Sequence, residues 1–329
     1  MSGWVHRSGI VVALVVAAIL AASTPAMADK LTLYTSQPDK DAAETVAAFK
    51  AERPGTDVEI FRSGTTEILG KLAAEFSAGQ PRPDVLLIAD AVSMEILKKD
   101  NRLAAYKEAR LDGFPAGSYD PDRTYFGTKL ITSGIVHHKD AKFRPTSWAD
   151  LARPELKGQI IMPSPFYSGA AVIVLGAVTQ QSGLGWKYFE SLAANQMVSA
   201  RGNGAVLKSV ASGEKPYGII VEFMALNAKA KGSPVEFVFP KEGVIPVTEP
   251  VAILRTAPNP AAARAFVDFL LSEKGQKVAA KQGYMPALAG VPAEMALPPG
   301  AVNLMPMDVG RILTTTEDDK KRFAQLFGE

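Results

Sequence analysis

Three short apolar segments separated by two amphipathic stretches open the chain after Ala28, and this alternation constrains the fold more than any other feature. Leu31-Thr32-Leu33-Tyr34-Thr35 reads as a strand, and Ser36-Gln37-Pro38-Asp39 is the polar turn that ends it. Asp41–Glu52 then carries Ala43, Val46, Ala47 and Phe49 at helical spacing and stops at Pro54-Gly55. Val58–Phe61 is a second strand, Ser63-Gly64-Thr65-Thr66 leads into a helix over Glu67–Ala78, and Asp84–Ile88 is a third strand ending at Ala89-Asp90. Strand, helix, strand, helix, strand implies a parallel sheet covered by helices. In such sheets ligands gather beyond the carboxyl ends of the strands, where the three loops lie.

A second α/β unit is predicted after Gly127. Its strands are Leu130–His138, Gly158–Met162 and Tyr217–Val221, and its helices are Ala170–Gln181, Gly185–Leu192 and one opened by Gly202-Asn203-Gly204. Val235–Phe239 is expected to return the chain to the first unit, which Val251–Leu254 and the helix Pro260–Leu271 complete. The Pro- and Gly-bearing tail after Pro286 is expected to wrap that first unit.

The N-terminus reads as an export signal. His6 and Arg7 precede an unbroken run of 13 apolar or small residues, Ile10–Ala22, and Ala26-Met27-Ala28 places small residues for cleavage before Asp29. The run falls short of the roughly 20 residues that span a bilayer. Residues 1–28 are therefore assigned to a signal peptide and the mature chain to the periplasm, with no membrane insertion once the signal is removed. The sequence has no Cys, which excludes disulfides and thiol chemistry. Loss of Arg7 with the signal leaves 35 basic and 34 acidic residues, a balance that gives no reason to expect a nucleic-acid partner.

Several segments together resemble one family, the type II periplasmic solute-binding proteins of ABC importers, in the branch with ferric-ion, phosphonate and sugar-phosphate binders. They are Leu31–Ser36, Ser63–Leu69, Pro83–Leu86, Ser147-Trp148-Ala149-Asp150-Leu151, Lys157–Ile160, Pro250–Leu254, Ala265–Ser272 and Gly283-Tyr284-Met285-Pro286. They span nearly the whole mature chain in the family's order. The resemblance implies an α/β fold of two lobes, each a mainly parallel sheet with covering helices, joined by a two-segment hinge. Lobe 1 is expected to hold residues 29–130 and 240–329 and lobe 2 residues 131–239, with crossings near Lys129–Gly134 and Val235–Pro240. It also implies a monomer that delivers a solute to a permease and its ATPase.

The strongest chemical candidate is Ser63-Gly64-Thr65-Thr66. The first N–H groups of a helix are unpaired and partly positive, Gly64 admits a ligand to the backbone, and the hydroxyls add donors. The structural alternative is a cap, with Glu67 completing a capping box. Ser164, Ser168, Gly169 and Ala170 form a matching helix start in the second unit, and Arg201-Gly202-Asn203-Gly204 opens another; Asn203 is taken as the contact there. Ser36 and Gln37, in the turn beyond the first strand, are placed in the same site. Asp90, Glu222 and Glu249 are the acidic candidates, able to accept from an amine or from sugar hydroxyls.

Ferric-ion relatives use a tyrosine pair in the segment that here reads Gly218–Met224, and no two tyrosines are adjacent in this chain. Tyr34, Tyr167 and Tyr188 are left as isolated oxygen donors. His137-His138 are strand neighbours pointing to opposite faces, which argues against a metal site. No nucleophile elbow, P-loop or His-Glu-x-x-His motif is present, so no catalytic residue and no cofactor are assigned. The expected ligand is a small organic anion, a phosphonate or phosphate ester such as an aminoalkylphosphonate or sugar phosphate. Ferric-ion capture and a sensor subunit that docks to a membrane receptor stand as alternatives.

Overall fold

The computed structural model describes Met1, residues 29–295 and residues 302–329; the signal-peptide assignment falls outside the described residues. The chain opens with β1 (Asp29–Thr35), α1 (Asp39–Glu52), β2 (Thr56–Arg62), α2 (Thr65–Ser77), β3 (Val85–Leu87) and α3 (Ala91–Lys99). β1 pairs in parallel with β2 on one side and β3 on the other, as the alternation predicts. β1 and β3 bury side chains on both faces because both faces are covered, whereas β2, at the sheet edge, leaves Asp57, Glu59 and Ile60 exposed. Leu31, Leu33, Val85 and Leu87 join one core with Phe49 of α1, while Tyr34 and Leu86 join another with Ile68 and Leu72 of α2.

β4 (Tyr125–His138) is the long strand of the molecule. The elements after it are β5 (Ile160–Pro163), α4 (Gly169–Thr179), α5 (Gly185–Ala194), β6 (Val198–Ala200), α6 (Asn203–Ala211), β7 (Tyr217–Val221), α7 (Glu222–Ala230) and β8 (Val235–Val238). β5 runs parallel to both β6 and β7, giving the second lobe a parallel sheet of its own. β9 (Ile245–Ile253), α8 (Pro260–Leu271), α9 (Glu273–Lys281), β10 (Met285–Pro286) and α10 (Val309–Phe327) complete the chain. The principal strand order is β2-β1-β3-β9-β4-β7-β5-β6. Two lobes thus share one continuous sheet, and β4 and β9 are its centre.

Two expectations about the second half of the chain change. Val235–Phe239 does not carry the return crossing: β8 pairs antiparallel with Ile135–His138, the second-lobe end of β4. The chain returns along β9, which pairs with β4 from Ser133↔Ile245 to Tyr125↔Ala252. The tail packs on the first lobe only at its start, where Ala287 and Leu288 meet that lobe's core and the Ala289 amide donates to the Gly113 carbonyl. Its last helix packs Ile312 and Phe323, both fully buried, into the second lobe's core against α4 and α5. Gly176 makes room for this, because a Cβ there would lie 2.8 Å from the Ile312 side chain. Arg322 pairs with Glu190 of α5 at 2.7 Å, and the Phe323 ring lies edge-on to Phe189. Sequence distance from the second unit hid this contact; only the apolar stripe on an otherwise charged helix signals a buried face.

Phe323→Ala should cost about 3–5 kcal/mol, the usual range for emptying a filled aromatic site. A urea titration of the mature protein checks this, and a loss under 1 kcal/mol would mean that α10 is not part of the core.

Candidate functional site

A cavity of about 290 Å³ lies between the lobes, and the first turns of three helices open onto it. Gly64 and Thr65 begin α2, Ser168, Gly169 and Ala170 begin α4, and Gly202, Asn203 and Gly204 begin α6. Each helix start follows a parallel strand, β2, β5 or β6, so sheet topology delivers all three to one place. Unpaired N–H groups and aligned peptide dipoles give each start a partial positive charge. Ser168 caps α4 by accepting from the Ala171 amide at 3.3 Å, and Asn203 Oδ1 accepts from Val221 N–H at 3.2 Å, tying α6 to the end of β7.

Two arginines strengthen that charge. Arg62, the last residue of β2, donates through Nε to the Gln37 carbonyl (2.7 Å) and through Nη1 to the Tyr167 hydroxyl (3.0 Å). With its longer contact to the Ser36 carbonyl, this holds the guanidinium at the cavity wall with donors to spare. Arg201 pairs with Glu67 of the other lobe at 2.9 Å and lies 5.0 Å from the Tyr167 ring centroid. Ile131, Val221, Phe223, Met224 and Tyr284 make an apolar and aromatic part of the wall, and Asp39 and Glu249 add two carboxylates to it.

The lobes meet directly beside the cavity. Thr66 donates its N–H to the Tyr167 carbonyl (3.3 Å) and its hydroxyl to the Pro165 carbonyl (3.0 Å). Glycine is needed on both sides of this contact: a Cβ on Gly64 would lie 2.2 Å from the Tyr167 carbonyl oxygen, and one on Gly169 would lie 2.3 Å from Asp90 Oδ2.

Of the residues singled out in the sequence, Ser36, Gly64, Thr65, Ser168, Gly169, Ala170, Asn203 and Glu249 line the cavity. Six do not, each for a visible reason. Ser63 donates its hydroxyl to the Glu67 side chain, but the capping box does not form, since Gly64 is the N-cap of α2 and no side chain caps it. Thr66 spends both donors on the opposite lobe. Ser164 donates to Glu329 at the C-terminus. Asp90 caps α3, accepting from the Ser93 amide and hydroxyl. Glu222 is buried behind the wall and accepts from Thr132 N–H. Gln37 is buried in the loop between Ser36 and Pro38, and neither side-chain amide atom has a partner among the described residues.

Sequence reasoning missed Arg62, Asp39, Ile131, Phe223, Met224 and Tyr284, and left Arg201 and Tyr167 without an assigned role. Arg62 had a usable signal, since it immediately precedes the Ser63–Thr66 segment at a strand's carboxyl end. Tyr34 donates to Glu75 away from the cavity, and Tyr188 is buried in the second lobe's core. Among the described residues no group of three His, Cys, Asp or Glu is placed to hold a metal ion.

Burial dominates the electrostatics of the acidic groups. It pushes Asp90 up to about 7 against the hydrogen bonds from Ser93, and Glu222 up to about 8 against those from Thr132 and the start of α7. Glu249 is raised by burial and partly held down by Lys129, whose Nζ lies 2.6 Å from Oε2.

Asp90 makes stability depend on pH with a definite sign. The folded state keeps this proton up to about pH 7, whereas an exposed aspartate loses it near 3.8, so its stabilising contribution falls as pH rises through that window. Asn at position 90 preserves the cap and suits the φ of 83° found there. Asp90→Asn should therefore flatten the fall in melting temperature between pH 4 and 7, and an unchanged slope would assign that fall elsewhere. Gly64→Ala should hold the lobes apart, visible as a larger radius of gyration in solution scattering, without lowering the urea midpoint of either lobe. A compact Gly64→Ala protein would contradict the contact.

Residues 31–285 match the family model for bacterial extracellular solute-binding proteins. A probable ABC transporter periplasmic-binding protein of Sinorhizobium fredii, y4fP, is 27% identical over 89% of this chain and 85% of its own length. Iron uptake protein A1 of Synechocystis is 28% identical over 82% of this chain and 79% of its own. The periplasmic binding protein AfuA of Actinobacillus pleuropneumoniae, solved with fructose-6-phosphate bound, superposes with a TM-score of 0.79 at 24% identity, covering 90% of this chain and 96% of AfuA. At that identity the likeness is one of fold. With the cavity between its lobes and the match over most of its length, the chain belongs to the bacterial extracellular solute-binding protein family.

Proposed function

We propose that this chain is the periplasmic solute-binding component of an ABC importer, and that its solute is a small organic oxyanion, a phosphonate or phosphate ester. One observation carries the ligand class: three helix starts, one from the first lobe and two from the second, converge with Arg62 on a single cavity. Helix N-termini and a guanidinium are the groups that bind tetrahedral oxyanions, and here they reach the ligand from both sides. A ligand bridging them favours the closed arrangement over the open one, which is how capture becomes a shape that a permease can read. Some 290 Å³ suits a compact solute, at the low end for small-molecule sites. The two bodies follow the sheet, β1–β3 with α1–α3, α8 and α9 on one side and β5–β8 with α4–α7 on the other, with α10 packed on α4 and α5 and also touching α3 across the cleft.

Ferric-ion capture is the competing reading. It is supported by the Synechocystis relative's name and by two tyrosines, Tyr167 and Tyr284, in one cavity. Against it, Tyr284 donates its hydroxyl to Asp41 at 2.7 Å, and burial with the nearby carboxylates raises the phenol well above its ordinary value. That opposes the phenolate a ferric ion needs.

Thermal-shift screening of the ligand-stripped mature protein against phosphonates, sugar phosphates, simple carboxylates and ferric citrate separates the two, because a ligand that binds only the folded state raises the melting temperature. An oxyanion should stabilise, and Arg62→Ala should weaken its binding about 10- to 100-fold, the effect of a charge-assisted hydrogen bond. Stabilisation by iron alone, with a tyrosinate absorption band, would replace this reading with the ferric one.

A further inference from the structure

Behind one part of the cavity wall, three carboxyl groups, Asp41, Glu222 and Glu249, surround the Tyr284 phenol, and one buried cation, Lys129, pairs with Glu249. Lys129, on β4, places Nζ 2.6 Å from Glu249 Oε2 on β9 and 4.3 Å from the centre of the Tyr284 ring. The Tyr284 hydroxyl donates to Asp41 Oδ2 on α1. Glu222, at the start of α7, is fully buried; Oε2 accepts from the Thr132 amide, and Oε1 has no partner among the described residues. Glu249 and Tyr284 themselves face the cavity, and Val221 and Phe223 on either side of Glu222 do as well. The other charges near this group, Lys40 and Glu44, are paired with each other at 3.2 Å on the outer face of α1.

Three ionised carboxylates beside one lysine would leave two uncompensated negative charges in a dry setting, so the group retains at least one proton at neutral pH. Burial raises Asp41, Glu222 and Glu249 alike, in line with that retention. A positive charge arriving at the Glu249 side of the cavity supplies what is missing, and the proton can then leave to solvent. Beside Glu249 the wall is apolar, Ile131, Val221, Phe223 and Met224 offering contact to a short carbon chain, and the cavity's other carboxylate, Asp39, stands at the start of α1.

Resting on the oxyanion reading above, we propose that the cavity selects a zwitterion, an oxyanion joined through a short carbon chain to an ammonium group at Glu249, and that its capture expels a proton held by the carboxyls around Tyr284. Charge balances: one ammonium enters the group and up to one proton leaves it. Below the pH at which the carboxyls ionise, ligand and proton compete, so affinity rises with pH and then levels.

The test uses the wild-type mature protein and two matched pairs of probes: two- and three-carbon aminoalkylphosphonates, and the same phosphonates without the amine. Titration calorimetry in buffers of different ionisation enthalpy, from pH 6 to 9, reads affinity and proton release together. Each probe's own proton release is subtracted using its separately titrated ionisation constants, because the ammonium lowers the phosphonate's second pKa relative to the amine-free member. The amine-bearing probe should bind about tenfold or more tightly than its partner, equivalent to about 1.4 kcal/mol. It should also release a larger fraction of a proton near pH 7 than near pH 9. Glu249→Gln should erase the preference between partners, and a preference that survives in this variant would overturn the placement of the ammonium at Glu249. Equal affinities, or equal proton release within a pair, would overturn the zwitterion proposal and leave the oxyanion reading standing. Failure of all four probes to bind would also overturn the zwitterion proposal, and the oxyanion reading would then stand or fall on the thermal-shift screen with sugar phosphates.

Discussion

The pairing of β4 with β9 is the constraint on which the rest of the molecule depends. Both strands run through both lobes, so each lobe's sheet is completed by strands belonging equally to the other. Their ladder is regular except between Gly127 and Leu130, where the register shifts. A bulge bends and twists its strand locally. It therefore supplies the place where two rigid half-sheets can turn against each other without breaking the ladder on either side. Gly127 is required there, since a Cβ would lie 2.5 Å from the Ser118 carbonyl oxygen. Lys129 sits within the same irregularity and sends its ammonium to Glu249 on the partner strand. A buried ion pair of this kind is weak support for stability but ties two strands in one register.

From that pivot, closure brings together surfaces made mostly of backbone. Gly64 and Gly169 let a carbonyl and a carboxylate of the facing lobe approach where any side chain would stand. The hydroxyl and amide of Thr66, chemically suited to an anion, serve the facing carbonyls of Pro165 and Tyr167. The same residue types therefore divide between holding the ligand and holding the lobes. Neighbouring positions in one helix turn point in different directions, and only the fold decides which role each takes.

That division marks how far the sequence could be read. The alternation of strands and helices was legible because apolar runs of four or five residues bounded by Gly, Pro and Asp leave few other structures open. The convergence of Gly64 and Gly169 was legible because each lies at a helix start after a strand read in the sequence, which parallel topology sends to one edge; Asn203 was read only as part of a helix start, and the short strand before it, β6, was not. Arg62 was harder to see: it ends a strand and looks like any surface base until its guanidinium is fixed by the Gln37 carbonyl and Tyr167, 105 residues away. Glu222 shows the opposite failure. Its place after an apolar strand suggested a ligand contact, but it turns inward to the Thr132 amide on β4, a neighbour no local pattern reveals. The packing of α10 on α4 depends on Gly176 lying under Ile312, again a long-range fit.

The energetics of closure follow from these contacts. The bonds that join the lobes directly are individually modest, about 0.5–1.5 kcal/mol for a hydrogen bond and at most about 1 kcal/mol for an exposed pair such as Arg201–Glu67. They narrow the gap between open and closed forms without fixing the choice. Moving a two-state protein from about 1:99 to 99:1 takes roughly 5.5 kcal/mol of differential affinity. An oxyanion touching α2 and Arg62 on one lobe and α4 and α6 on the other gains most of its charge-assisted bonds only when the lobes meet. Two to four such bonds, at about 1.5–3 kcal/mol each, reach the required size. A ligand held by one lobe alone would bind without closing the protein, however tightly, because its contacts would be the same in both forms. The spread of the three helix starts across the cleft is therefore the feature that turns affinity into a change of shape.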